Sequence, residues 1–304
     1  MSDGGIETSL IFHQGIDLPC FATFPLLERE EGREAISSYF APYLEIARLH
    51  GTGFVVEAAT WRANPSWGAQ LGYTGAALAD ANRRAIAFCE ELRDREEEPG
   101  RPFPISAPVG PEGDGYAPAE RLSADDAERF HRWQLGVLAD TAADLATAMT
   151  ITYVEEAIGI ARAASAAGLP VAIGFTVETD GRLPTGQPLA EAIDEVDADT
   201  DSSVAYFMVN CAHPTHFRRV LEGPGPWHRL RAVRANASTK SHAELDEATE
   251  LDDGDPVAFG TDHLPLLELL PQLTVLGGCC GTDHRHVASA VDAWLREPAT
   301  PAAG

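Results

Sequence analysis

The sequence predicts an α/β fold, a (β/α)8 TIM barrel that forms a single domain. Apolar runs rich in β-branched residues alternate with amphipathic segments of helical period, which is the pattern of repeated βα units. Several apolar runs end in thiol or polar groups. This fits a barrel, because the active sites of such barrels lie at the carboxyl ends of the strands. The 304 residues, 44% of them hydrophobic, are enough for one barrel. We expect the barrel to span 1–297 and the tail rich in Ala and Pro, 298–304, to be disordered.

Seven apolar runs are predicted to be barrel strands. A (β/α)8 barrel needs an eighth strand, which has to come from the N-terminal region 3–24. We expect either that residues 7–12 form this strand or that the natural chain starts further upstream. Each run is short, apolar and bounded by turn-forming residues. The seven runs are residues 53–60, 104–110, 143–152, 169–177, 204–211, 231–238 and 273–281.

Helical segments fall before and between these runs. Ser123, followed by Asp125 and Asp126, is typical of a helix N-cap with an acidic first turn. The adjacent Glu155 and Glu156 are expected to form a solvated helix face. The predicted helices are 33–50, 75–94, 123–140, 154–167, 189–196, 214–222, 256–270 and 284–295.

Two thiol motifs carry the strongest functional signal. VNC at 209–211 closes one apolar run, and GGCCGT at 277–282 closes another. If these strands are neighbours in one parallel sheet, the thiols of Cys211, Cys279 and Cys280 converge at its edge. Three thiolates with one open position are the ligand set of a catalytic zinc site, because a structural site normally closes with a fourth protein ligand. Such a site can hold and activate a thiolate that a substrate supplies.

Other interpretations of these residue types stay open. A buried cysteine is often only a small hydrophobic residue, and adjacent cysteines can form a disulfide. Cys89, in a helical pattern, is expected to pack. Cys20 lies in an apolar stretch, and neither residue is expected to bind metal. His213 and His216 follow Cys211 and are expected to support the site or face solvent.

Charge and composition exclude several classes of partner. The chain has 47 acidic and 22 basic residues and a formal charge of -25, which argues against binding nucleic acid or an anionic membrane. No apolar run approaches ~18 residues and no signal peptide is evident. Five cysteines, an odd number, suit a reducing compartment. We therefore expect a cytoplasmic enzyme with small-molecule partners.

Four motifs resemble, in their order and context, the homocysteine S-methyltransferase family. They are DGGIET at 3–8, VGP at 109–111, VNC at 209–211 and GGCCG at 277–281, and the resemblance extends over nearly the whole chain. It implies a homocysteine-binding barrel whose three motif cysteines hold zinc, with the thiol of homocysteine as the exchangeable ligand. It also implies that Asp3 lies near the substrate amino group.

Predicted strand ends and the first loop supply further candidates. The resemblance places Asn236 at the family's seventh-strand asparagine. Aromatic rings near the second strand end could shelter a cationic methyl donor by cation–π contact. The candidates for binding the substrate are Asp3, Gly4, Thr60, Asn210 and Asn236, and those for binding the donor are Trp61 and Trp67.

The chain departs from the family pattern in two respects. It begins only two residues before Asp3, which leaves almost no room for the usual first strand in front of the loop, and it differs at the end of the fourth strand. Family members often have a glutamate at the end of the fourth strand, where it helps to hold the substrate amine, and Met149 takes this place here.

We expect zinc-dependent transfer of a methyl group from a sulfonium or ammonium donor to homocysteine, giving methionine. Two alternatives remain: methylation of another thiol or selenol, and a non-catalytic protein that binds zinc or thiols.

Overall fold

Among the residues that the structure describes, seven parallel strands form one sheet and follow each other in it in the same order as in the chain. The computed structural model describes residues 1–113, 115, 121–248 and 250–295, so the predicted tail at 298–304 lies outside the described residues. Every predicted apolar run overlaps one strand. The strands are β1 (Val56–Glu57), β2 (Ile105–Val109), β3 (Leu145–Ile151), β4 (Val171–Phe175), β5 (Tyr206–Asn210), β6 (Leu230–Ala235) and β7 (Val275–Gly278).

Helices precede β1, connect successive strands and follow β7, so the predicted alternation is confirmed. In the described part of the chain, no helix is long and apolar enough to span a membrane. The helices of eight or more described residues are α1 (Glu30–His50), α2 (Gly75–Glu96), α3 (Ala124–Ala139), α4 (Val154–Ala167), α5 (Leu189–Asp199), α6 (Pro214–Leu221), α7 (Pro256–Leu269) and α8 (His284–Leu295).

Helix α3 illustrates how the sequence determines the packing of these helices. Its buried residues include Ala127, His131, Leu135 and Leu138, spaced by four, four and three positions, so they form one face of the helix. The predicted N-cap is present, since the amide of Asp126 donates to the Ser123 hydroxyl at 3.2 Å. The buried face packs against α4, which has its own row of small apolar residues.

The predicted strand at 7–12 is wrong. Ile6–Thr8 are α-helical, and Ser9–His13 form a π-helical turn. Leu10 is buried whereas Phe12 is exposed, although the two would share a face in a strand. A short apolar run fits a strand and a helical turn equally well, so its pattern could not decide between them.

The first three residues occupy the space between the two edges of the sheet. Towards β7, the amide of Ser2 donates to the Leu276 carbonyl at 2.9 Å. Towards β1, the amide of Val55 donates to the Met1 carbonyl at 2.8 Å. Residues 1–3 therefore bridge β7 and the segment just before β1. This arrangement brings Asp3 to the carboxyl end of β7, where its carbonyl accepts a hydrogen bond from the amide of Gly278 at 2.8 Å.

Gly277 explains how residues 1–3 can approach β7 so closely. A Cβ atom at this position would overlap the Ser2 hydroxyl and lie 2.8 Å from the Asp3 carbonyl oxygen. Only glycine leaves the required space.

The expectation of a solvated Glu155–Glu156 face is wrong for Glu156. Its side chain is buried. The carboxylate accepts a hydrogen bond from the amide of Glu112 at 2.8 Å and lies 3.0 Å from Nε2 of His131. Glu156 thus ties the segment after β2 to α3 and α4. Its partners are 44 and 25 residues away in the chain, so a local pattern could not reveal them.

Candidate metal centre

The three motif cysteines lie together at the carboxyl end of the sheet. Cys211 follows β5, whereas Cys279 and Cys280 follow β7, and β6 separates the two strands. Two β6 carbonyl groups hold both segments: the amide of Cys211 donates to Arg234 O at 3.0 Å, and that of Cys279 donates to Ala235 O at 2.8 Å. Two strands that are not direct neighbours therefore present their thiols at one point.

The distances between the sulfur atoms are suited to a single metal ion. Cys211 Sγ lies 2.9 Å from Cys279 Sγ and 3.5 Å from Cys280 Sγ. Sulfur ligands at about 2.3 Å from a tetrahedral zinc are about 3.8 Å apart, so small side-chain rotations suffice. No fourth Cys, His, Asp or Glu of the described residues joins the group. The donor set fits zinc with one position left for an external ligand.

The thiols of Cys211 and Cys279 differ in pKa. Hydrogen bonds from Cys211 and Cys280 hold the pKa of Cys279 well below its ordinary value, and the positive charge of Arg234 lowers it further. The pKa of Cys211 lies well above the ordinary value, because its thiol is held in hydrogen bonds to Cys279 and Cys280 and is buried. The cluster thus favours a thiolate at Cys279, which is the form of cysteine that binds metals.

The backbone of Cys211 is held in an unusual conformation. Its φ of 57° lies in the left-handed region, which non-glycine residues rarely adopt. Its carbonyl oxygen accepts hydrogen bonds from Asn236 Nδ2 at 3.1 Å and from the Thr176 hydroxyl at 3.2 Å. His242 Nε2 lies 2.8 Å from the same oxygen. These three side chains determine where the Cys211 thiol is placed.

The glycine motif of the first loop packs directly on the cysteine pair. A Cβ atom on Gly5 would lie 2.5 Å from the Cys279 carbonyl oxygen, so the close approach requires glycine. The Thr8 hydroxyl accepts a hydrogen bond from the amide of Gly281 at 3.2 Å. The motifs at 3–8 and 277–281 are therefore two halves of one structural unit.

A cavity of about 260 Å³ opens beside the sulfur cluster. All three thiol residues line it, together with aromatic, apolar and charged side chains. Among the residues that the cavity brings together are Asp3, Gly4, Glu7, Phe21, Glu57, Trp61, Arg62, Met149, Arg234 and Asp246.

A buried ion cluster forms part of the cavity wall. Arg234 Nη1 lies 2.7 Å from Asp3 Oδ1 and 3.3 Å from Glu57 Oε1. The Tyr39 hydroxyl donates to Asp3 Oδ2 at 2.9 Å. Burial raises the pKa of Glu57 to about 7, although Arg234 acts in the opposite direction. Burial likewise raises the pKa of Glu7, elsewhere in the cavity, to about 7.

Sequence reasoning missed Glu57 and Arg234. Glu57 is a charged residue among apolar ones in VVEAAT, and Arg234 is the buried arginine of RAVRAN, in which Arg231 is exposed. A charge in a strand that is buried on both faces needs a partner or a function. That rule would have singled out both residues, although not their pairing.

The predicted substrate-binding residues divide into two groups. Asp3 and Gly4 line the cavity, whereas Thr60, Asn210 and Asn236 are absent from its described lining. The Thr60 hydroxyl donates to Pro108 O at 2.7 Å. Asn236 supports Cys211 as described above. Direct contact of these three side chains with a substrate stays a prediction.

Asn210 shapes the end of the strand that carries Met149. Its Oδ1 accepts a hydrogen bond from the amide of Thr150 at 2.9 Å, and its Nδ2 donates to the Thr150 hydroxyl at 3.0 Å. Thr150 has a left-handed φ of 65°, and the pairing of β3 with β4 is irregular between Ala148 and Ile151. Met149, which is 8% exposed, lies in this irregular segment and lines the cavity.

The two tryptophans proposed for the donor are arranged around an arginine. The guanidinium carbon of Arg62 lies 4.0 Å from the ring centroid of Trp61 and 4.0 Å from that of Trp67. Trp61 lines the cavity, and Trp67 is not part of its described lining. Trp61 Nε1 also donates to the Met149 carbonyl at 3.2 Å. Donor contact with either ring stays a prediction.

His213 and His216 lie outside the group of metal-binding side chains. His213 caps α6, where its Nδ1 accepts a hydrogen bond from the amide of Thr215 at 3.4 Å. Burial lowers the pKa of His213 to about 4. His216 Nε2 lies 2.9 Å from Thr239 O. Both histidines therefore contact the protein scaffold around the site.

Cys20→Ala and Cys89→Ala are expected to leave zinc binding unchanged. The Cys89 thiol is buried in α2 and Cys20 is partly exposed in a short turn. A small void at Cys89 should cost about 1 kcal/mol of unfolding free energy, whereas Cys20→Ala should cost less than about 0.5 kcal/mol. Metal analysis and urea denaturation measure both effects. Loss of zinc in either variant would contradict the ligand assignment.

The chain matches a known family over nearly its whole length. The family profile described as Homocysteine S-methyltransferase matches residues 1–294. Homocysteine S-methyltransferase 4 of Zea mays is 26% identical, covering 95% of this chain and 88% of its own length. Homocysteine S-methyltransferase YbgG of Bacillus subtilis is 24% identical, covering 74% of this chain and 75% of its own.

A solved structure shares the fold. The homocysteine methyltransferase MmuM from Escherichia coli, in its metallated form, superposes with a TM-score of 0.72. The two chains are 19% identical, and the match covers 98% of this chain and 96% of that one. Its oxidized form gives the same TM-score of 0.72 at 20% identity, covering 96% of this chain and 94% of that one. This likeness supports the α/β fold with a curled parallel sheet.

Proposed function

The chain belongs to the homocysteine S-methyltransferase family, and from this membership we propose that it methylates homocysteine to methionine. The donor would be a sulfonium or quaternary ammonium compound. A bond forms between the methyl carbon and the acceptor sulfur while the donor's bond to that carbon breaks, and the leaving group keeps the electron pair. The observation that carries the proposal is the convergence of three thiols at a cavity, with one ligand position open.

We propose zinc as the resident metal, held by Cys211, Cys279 and Cys280. Bound there, zinc would keep an incoming thiol ionised at neutral pH. A free thiol with a pKa of about 8.5 is only a few per cent thiolate at pH 7, so full ionisation is worth about 30-fold, or roughly 2 kcal/mol. This gain alone is too small for efficient catalysis.

The cavity would supply the larger share by holding acceptor and donor in line. Proximity and orientation can contribute about 7 kcal/mol or more when the reacting atoms are held in contact. The glycine loop at 3–5 and the side chains of Trp61 and Met149 enclose the space beside the thiols. They would exclude water and fix the approach of the donor carbon.

Zinc X-ray absorption tests this proposal without turnover. Homocysteine should change the ligands of the bound zinc from three sulfurs and one light atom to four sulfurs, with release of a proton. Methionine, a thioether without an ionisable proton, should bind much more weakly. An unchanged spectrum with homocysteine, together with a four-sulfur spectrum for some other thiol, would exclude homocysteine and leave a broader thiol methyltransferase.

A second candidate acceptor is another thiol or selenol. Met149 favours this candidate, because an apolar side chain lines the cavity at the position where the family often has a carboxylate. Mass spectrometry of methylated products from a panel of thiols and selenols, each with several donors, separates the two. A protein that binds homocysteine stoichiometrically without any product would instead be a non-catalytic binder.

We also propose that the sheet is a closed (β/α)8 barrel, with residues 1–3 in the place of the eighth strand. Their hydrogen bonds to β7 and to the segment before β1 support this. A cytoplasmic location stays a prediction from the cysteine content.

A further inference from the structure

The cavity contains a buried charge cluster with a surplus of negative charge. Asp3, Glu57 and Arg234 are 1%, 7% and 5% exposed. Two carboxylates share one guanidinium, so the cluster is one positive charge short when both carboxylates are ionised. An uncompensated charge away from water is costly. The raised pKa of Glu57, about 7, shows that this carboxyl tends to take up a proton when no other cation is present.

Glu57 has an oxygen atom to offer a ligand. Its Oε1 faces Arg234 Nη1 at 3.3 Å. Its Oε2 is buried and has no hydrogen-bond partner of acceptable geometry among the described residues. The Ser106 hydroxyl is near enough to Glu57 to lower the pKa of its carboxyl. This hydroxyl is, however, hydrogen-bonded to Thr147 Oγ1 at 2.6 Å. Buried carboxylate oxygens are normally satisfied, so an orphan oxygen in a cavity wall points to a donor that arrives with a ligand.

The other carboxylates of the cavity are less suited to this role. Asp3 is engaged by both Arg234 and Tyr39. Glu7 accepts a hydrogen bond from the Thr23 hydroxyl at 3.0 Å. Asp246 belongs to a short helix and is exposed. Asp3 Oδ1 also lacks a well-aligned hydrogen bond, but it lies 2.7 Å from Arg234 Nη1. Glu57 combines burial, a position in the cavity and an oxygen, Oε2, with neither a hydrogen bond nor an ion pair among the described residues.

We propose that Glu57 is the counter-ion of an ammonium group on the acceptor, so that the site selects an aminothiol. The bound ammonium would donate to Glu57 Oε2 and supply the positive charge that the cluster with Asp3 and Arg234 lacks. This inference rests on the proposed function and makes it more specific. It means that Glu57 of β1 distinguishes thiols with an amino group from thiols without one, which the apolar side chain of Met149 cannot do.

The test compares two thiols that differ only in the amino group. Calorimetry on the zinc-loaded chain measures binding of L-homocysteine and of γ-mercaptobutyrate, which lacks that group. We expect wild type to prefer homocysteine by about 10- to 100-fold, the range for one hydrogen bond between charged groups. Glu57→Gln keeps an oxygen for Arg234 and loses the charge. It should remove most of this preference by weakening homocysteine alone.

Two further variants control for structure. Glu156→Gln removes another buried carboxylate outside the described cavity lining, and it should keep the wild-type preference. Glu57→Asp keeps the charge at a shorter reach and should restore part of the preference. If Glu57→Gln fails to fold, wild type together with Glu57→Asp decides the matter.

Three results would overturn the role of Glu57. They are a wild type that binds both thiols equally, a Glu57→Gln variant that keeps the preference, and one that weakens both thiols equally. The proposed function fails separately, when wild type forms no methionine with any donor whatever the binding ratio. The two failures are thus distinguishable in the same set of proteins.

Discussion

The Cys211→Ala variant is expected to bind zinc more than about 100-fold more weakly than wild type and to form no measurable methionine. Loss of a group that merely orients a metal ligand already costs 10- to 100-fold in affinity, so loss of a ligand should cost more. The three sulfurs lie within 4.8 Å of one another, and two of them cannot form a complete site. Metal analysis after dialysis against a weak chelator, and methionine formation by mass spectrometry, measure the two effects.

Cys89→Ala is the matched control for this experiment. It removes a buried thiol of the same size, away from the cluster, and should retain about one zinc per chain. Stoichiometric zinc in Cys211→Ala would show that the ends of β5 and β7 do not form one site. The same outcome for Cys279→Ala or Cys280→Ala would remove that residue from the ligand set.

The Arg234→Met variant should lower the free energy of unfolding by about 3 kcal/mol or more at pH 8, because it leaves two buried carboxylates without their cation. Arg234 lowers the pKa of Glu57, so removing this cation raises the folded-state pKa of that carboxyl further. A carboxyl whose pKa is raised on folding loses its contribution to stability as the pH rises. The deficit relative to wild type should therefore grow from pH 6 to pH 8, measured by urea denaturation.

Arg231→Met provides the comparison on the same strand. Arg231 is exposed, and its side chain donates to the Gln272 carbonyl at 3.1 Å. Its replacement should cost less than about 0.5 kcal/mol and show little dependence on pH. Equal losses for the two arginine variants would mean that the buried ion cluster contributes little to stability.

Most of the fold could be predicted because the periodicity of hydrophobic residues is local information. The apolar runs and helices alternate clearly enough to place all seven strands and the eight longer helices. Residues 1–3 could not be recognised, because three residues are too few to show a pattern. Their role depends on hydrogen bonds to Leu276 and Val55, which lie far along the chain.

In the candidate site, too, some residues could be predicted from the sequence and others could not. The three thiols were predictable because each is a rare reactive residue at the end of an apolar run. The ion cluster was not, since Glu57 and Arg234 meet across 177 residues and the charge of each within its own strand does not reveal its partner. Glu156 was misassigned for the same reason. Local patterns find the ends of strands, but pairing inside the sheet depends on the completed fold.

The dipeptide Arg234–Ala235 has a consequence for redesigning this enzyme. Its two carbonyl groups hold the backbone of Cys211 and Cys279, while the side chain of Arg234 balances Asp3 and Glu57. The spacing of the thiols and the charge in the cavity wall are thus set by the same two residues. A change in the proposed acceptor specificity is therefore more safely sought at Glu57 or Met149 than on β6, because neither side chain is hydrogen-bonded to a motif cysteine in the described part of the chain.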